Sequence, residues 1–84
     1  MEKLNLEIVL MNLQEAREEL QNLEKELSVN KDFLEEEFMI GLKHVYHHLN
    51  FAWNIRYKSN EQYRNFSDDD FKEWAKYPIE IENP

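Results

Sequence analysis

All three histidines of the chain fall within five positions, in the stretch GLKHVYHHLNFAWN at 41–54, which also holds the only glycine. His44 and His48 are four residues apart, so on a helix both imidazoles share one face and can grip a divalent cation. Glu37 lies two turns earlier on that face. The position between them is Gly41, which has no side chain to offer, whereas a typical zinc site takes three or four protein ligands. The Glu-x-x-His motif of di-iron bundles would need glutamate where Gly41 stands. Metal binding by Glu37, His44 and His48 is therefore the secondary reading, with a dimer axis as the way to double the ligand set.

Acid–base catalysis by His47 or His48 calls for a nucleophile or a paired carboxylate within reach. The chain has no cysteine, and Ser28, Ser59 and Ser67 stand where turns and helix caps need them. The run Asp68-Asp69-Asp70 lacks calcium-loop spacing and is explained by a cap. No catalytic residue is assigned and no cofactor is expected. The chain reads as non-catalytic.

The elements that position this stretch are helical. Glycine and proline are nearly absent from the 84 residues, while Leu, Glu, Lys and Gln abound. Leu6, Val9, Leu13, Ala16, Leu20, Leu23 and Leu27 alternate at spacings of three and four, a heptad pattern that predicts a coiled-coil-like helix over about 4–27. Ser28-Val29-Asn30 interrupts it, and Asn30 with Asp32 reads as the start of a second helix over about 31–57. A loop this short between two long helices predicts an antiparallel hairpin. Ser59-Asn60 ends the second helix and suits a short turn through Tyr63. Ser67 with Asp70 forms an acidic capping box, and Phe66 with Phe71 a hydrophobic staple, which together start a short helix over about 68–76. The tail from Tyr77 is expected to be extended. The predicted fold is all-α: one domain over 1–84, a long hairpin plus a short C-terminal helix.

Placed at about 100° per residue, the second helix has two apolar faces. Leu34, Phe38, Leu42, Val45, Leu49 and Ala52 form one, which the first helix covers. Phe33, Ile40, His44, His48, Phe51 and Ile55 form the other, with His47 beside them. Asn50, Asn54 and Tyr46 lie on a polar strip read as solvated, and Gly41 falls between the two faces, as a close approach of helices would require. Large contiguous apolar faces mark interaction surfaces. This second face needs cover from the C-terminal segment, another subunit or both. The simplest closure is a homodimer forming a four-helix bundle, with Trp74 of the C-terminal segment at the interface.

Charge narrows the partners. Formal net charge is −8, and both the first and the last third of the chain carry seven acids against three bases. Direct binding to nucleic-acid phosphate needs the opposite sign. A basic protein partner, or mimicry of nucleic acid as an inhibitor, is compatible with the balance. The longest strictly apolar run is Ile8–Met11, far short of a membrane span. No signal-peptide pattern opens the sequence, so a cytoplasmic location is expected. The sequence thus points first to a helical interaction and oligomerisation module, second to a metal-binding bundle, third to an acidic mimic.

Overall fold

In the computed structural model, which describes residues 3–82, two long antiparallel helices form the hairpin. Helix α1 spans Leu6–Val29 and α2 spans Glu35–Asn54. Two short helices follow, α3 at Asn60–Arg64 and α4 at Asp68–Trp74, and then a 3-10 turn at Ile79–Ile81. No strand occurs among the described residues, and no helix there is long and apolar enough to cross a membrane.

Several boundaries move for local reasons. The second helix begins at Glu35, because the Asn30 carboxamide turns back to accept from the amide of Asp32 (3.0 Å) and so shapes a loop rather than a helix cap. Glu35, Glu36 and Glu37 then occupy the first turn of α2, where negative charge meets the helix dipole. The turn after Ser59 is a helix, α3: Ser59 caps it and Gln62 reaches back to the Ser59 amide (2.9 Å). The same reciprocal cap forms between Ser67 and Asp70 at the start of α4. The tail is not extended. Amides of Ile81 and Glu82 bond the carbonyls of Pro78 and Ile79 (both 3.1 Å), coiling it into one 3-10 turn, and Trp53 Nε1 holds the Glu80 carboxylate at 2.9 Å.

The larger departure lies in α1. Its buried residues are Ile8, Asn12, Ala16 and Leu23. Leu6, Leu13, Leu20 and Leu27, one from each heptad, keep between 41% and 60% of their surface exposed. The helix is turned so that only half of its apolar stripe meets α2. Across the contact Ala16 and Leu23 join Val45, with Phe33 and Leu42 half-buried against them; nearer the open end, Ile8 meets Phe51, Ile55 and Trp74.

Gly41 of α2 packs directly against the Leu23 side chain of α1. A Cβ built there would lie 2.5 Å from Leu23 Cδ2 and 3.1 Å from both Cδ1 and Cγ. The contact partner is thus α1 itself, and the missing side chain makes room for Leu23. Alanine at 41 gains about 1 kcal/mol of helix propensity but makes the buried Leu23 side chain shift in a packed contact, at about 1–3 kcal/mol. Gly41→Ala is therefore expected to destabilise the protein by about 1 kcal/mol, while in a Leu23→Ala background the same change stabilises by about 1 kcal/mol. A double-mutant cycle by urea unfolding reads this reversal of sign, and the same sign in both backgrounds would refute the account.

Candidate functional site

The histidines sit where α2 emerges from beneath the C-terminal segment, on the side of the hairpin that faces α3 and α4. Asn12 is the centre of that region and is fully buried. Its Nδ2 donates to the carbonyl of Ile8 (2.9 Å) and to the Tyr63 hydroxyl (3.2 Å). A carbonyl only accepts, so the Ile8 bond fixes which way round the carboxamide sits. Oδ1 must then be the atom 2.9 Å from His48 Nδ1, and that nitrogen must carry the proton. The neutral His48 ring is held in one tautomer, with Nε2 left as an acceptor. Nothing polar is stranded: no buried side-chain nitrogen or oxygen among the described residues lacks a partner.

The other two rings are arranged differently. His44 is exposed, its Nδ1 3.4 Å from the Glu19 carboxylate of α1 and its ring 5.2 Å from that of His48. His47 sets its ring edge-on to Phe71 of α4, centroids 5.3 Å apart. Burial holds the pKa of His48 below its usual value of 6.5, and His44 adds to this while Glu15 and Glu19 pull the other way. Burial also lowers that of His47, with Lys43 and His44 reinforcing it.

The three imidazoles border a half-open cavity of about 330 Å³ whose remaining walls are the rings of Phe51, Tyr63, Phe66 and Phe71. These rings belong to an aromatic cluster that locks the C-terminal segment onto α2. Phe51 meets Phe71 and Trp74 edge-to-face, and Tyr63 stacks on Trp74 with centroids 6.2 Å apart. The Phe66–Phe71 staple is formed, at 6.3 Å. Asn54 donates to the carbonyls of Trp74 and Lys76, and Asn50 to that of Ala75, all at 2.8 Å. They satisfy carbonyls that the end of a helix leaves free. Of the polar strip read as solvated, Tyr46 is exposed, whereas Asn50 and Asn54 form a clasp for α4.

The residues of the expected interface therefore separate. Phe51, Ile55 and Trp74 are interior to the single chain, and Phe33 is half-buried in the hairpin core. His47 and His48 are half-buried beneath the C-terminal segment, while Ile40 and His44 stay exposed. Glu37, His44 and His48 do not converge: among the described residues no group of three His, Cys, Asp or Glu side chains is placed to hold a metal ion. Asn50 and Asn54 stood on the strip read as solvated, and Asn12 drew no reading from the sequence. Asn12 does stand four residues from both Ile8 and Ala16, on their face, and that spacing was the available signal.

The other side of the hairpin is covered only by the tail, beside Trp53. Val9 of α1 and Leu49 of α2 line one groove there, and Phe38, Met39, Leu42 and Tyr46 line another along α2. Helical spacing puts Leu6, Leu13 and Leu20 on the Val9 side of α1. The face thus runs across both helices. Comparison with known protein families, with curated proteins and with solved structures gives no match to this chain.

The histidine geometry has a pH signature. His47 and His48 have lowered folded-state pKa values, so as pH falls below 6.5 the unfolded chain takes up protons first. Their contribution to stability is complete above pH 6.5 and is lost as pH falls through the depressed values. Urea midpoints at fixed protein concentration are expected to drop between pH 7 and pH 5, and His48→Gln, which keeps a donor for Asn12 but cannot titrate there, should flatten that slope.

Proposed function

We propose that this chain is a non-catalytic helical self-association module, and that two copies close into a four-helix bundle through the leucine face of the hairpin. The observation that carries this reading is the exposure of Leu6, Leu13, Leu20 and Leu27 on α1, alongside Phe38, Tyr46 and Leu49 on α2. Among the described residues, eight hydrophobic ones are buried while twenty large ones are exposed. A core this thin is marginal for a domain of this size, and a second copy is the remaining support in a chain without cysteine. Half-exposed leucines offer roughly 80 Å² each, so the face supplies on the order of 600 Å² per copy, near the 800 Å² per partner of a standard interface.

Charge favours a copy of the same chain despite the net −8. Glu7, Glu15, Glu18, Glu19 and Glu26 of α1 all project more than roughly 100° away from the leucine stripe. Beside the stripe stand only Arg17 and Glu24, one of each sign. Like-charge repulsion between copies is thereby kept off the contact.

Leu20→Glu, at a position half-open in the monomer, is expected to leave helix content unchanged in far-UV circular dichroism. It should also shift the protein from dimer to monomer in sedimentation equilibrium at micromolar concentration. A wild-type chain that sediments as a folded monomer there would end this reading.

A further inference from the structure

We infer that the two copies meet across a two-fold axis perpendicular to the helices at the level of Leu20, with α1 antiparallel to its own copy and Arg17 facing Glu24 of the partner subunit. This rests on the self-association reading and adds its geometry. An isologous face must fit itself when turned over, so its features must be symmetric about the axis. Contacts within the hairpin fix which residues share a level. Asn5 bonds Arg56, Asn12 bonds His48, Glu19 meets His44, and Leu23 sits on Gly41. These pairs place Leu20 level with Leu42 and Lys43.

About that one level both helices are symmetric. Leu13 and Leu27 lie seven residues to either side of Leu20; Phe38 and Tyr46 lie four to either side of Leu42. The two charges that flank the stripe obey the same symmetry, Arg17 three residues before Leu20 and Glu24 four after. Turned over, each Arg17 meets a Glu24, twice per dimer. An axis parallel to the helices would instead set α1 against α2 of the other copy. Glu24 would then stand at the level of Met39 and near Glu35, beside apolar surface and like charge. The perpendicular axis satisfies the leucines and the Arg17 and Glu24 charges of α1, and on α2 it leaves Lys43, at the border of the groove, level with its own copy.

The absence of cysteine from the chain allows a direct test. A residue on the axis faces its own copy, whereas Leu6 would lie about 42 Å from its own copy along the helices. Leu20→Cys is expected to form a covalent dimer rapidly under mild oxidation, and Leu6→Cys to stay uncrosslinked at the same concentration. Arg17→Glu alone and Glu24→Arg alone should each weaken the dimer roughly tenfold, with the double exchange restoring it to within about twofold of wild type. A wild-type dimer in which Leu6→Cys crosslinks as fast as Leu20→Cys, or in which the double exchange restores nothing, overturns this geometry and leaves self-association standing. A wild-type monomer overturns both.

Discussion

The hairpin is organised by one carboxamide. Asn12 is fully buried between three elements, and its hydrogen bonds reach the carbonyl of Ile8, the ring of His48 on α2 and the hydroxyl of Tyr63 on α3. A buried amide without partners costs about 1–3 kcal/mol, so rotations of α1 that move Asn12 away from His48 are disfavoured. The orientation that satisfies it turns Ile8, Ala16 and Leu23 inward. It also turns Leu6, Leu13, Leu20 and Leu27 outward. The polar contact on one side of the helix thus sets the apolar exposure on the other.

That rotation gives the hairpin two unequal sides. On the side of Asn12 and the histidines, α3 and α4 fold back, and their aromatic rings with the Asn50 and Asn54 clasp close over Phe51 and Ile55. Neither short helix could persist alone, at five and seven residues. Each is held by a reciprocal cap and by rings it contributes to the common cluster. The side of the leucines receives only the tail, where Ile81 joins the groove of Leu49 and Trp53. The imidazoles belong to the covered side and serve it as hydrogen-bonding and ring-packing groups.

The sequence was most legible where the signal was local. Helix content, the hairpin, the Ser67–Asp70 box and the Phe66–Phe71 staple all follow from neighbours within a few residues, and the structure has them. Which half of a broad apolar stripe faces inward is a tertiary question. The heptad of α1 offers both halves, and hydrophobicity alone cannot choose between Leu20 and Ala16. The choice was made by Asn12, a residue that pattern-reading treats as an interruption. Likewise, two apolar faces on α2 were visible, but the expected assignment of cover was partly exchanged. The C-terminal aromatics take much of the histidine face, and part of the face expected to lie under α1 reaches past it into the open grooves at Phe38, Leu42 and Leu49. A sequence gives the width of a stripe more readily than the angle at which a neighbour meets it.

Gathering the exposed leucines of α1 on one side also bears on how far association can go, while Ile40, Phe66 and Phe71 keep smaller openings on the other. Two such surfaces on opposite sides would permit head-to-tail growth, whereas one self-complementary face closes on itself. Here the opposite side of α1 carries Glu15, Glu18, Glu19 and Glu26, and the C-terminal segment adds Asp68, Asp69, Asp70 and Glu73. A charge of −8 per copy spread over those surfaces makes further stacking of dimers electrostatically costly, while Arg17 and Glu24 leave the leucine face itself nearly neutral. Under the proposed reading, the acidity that first suggested a basic partner has a simpler physical role: it limits a sticky hairpin to a single contact.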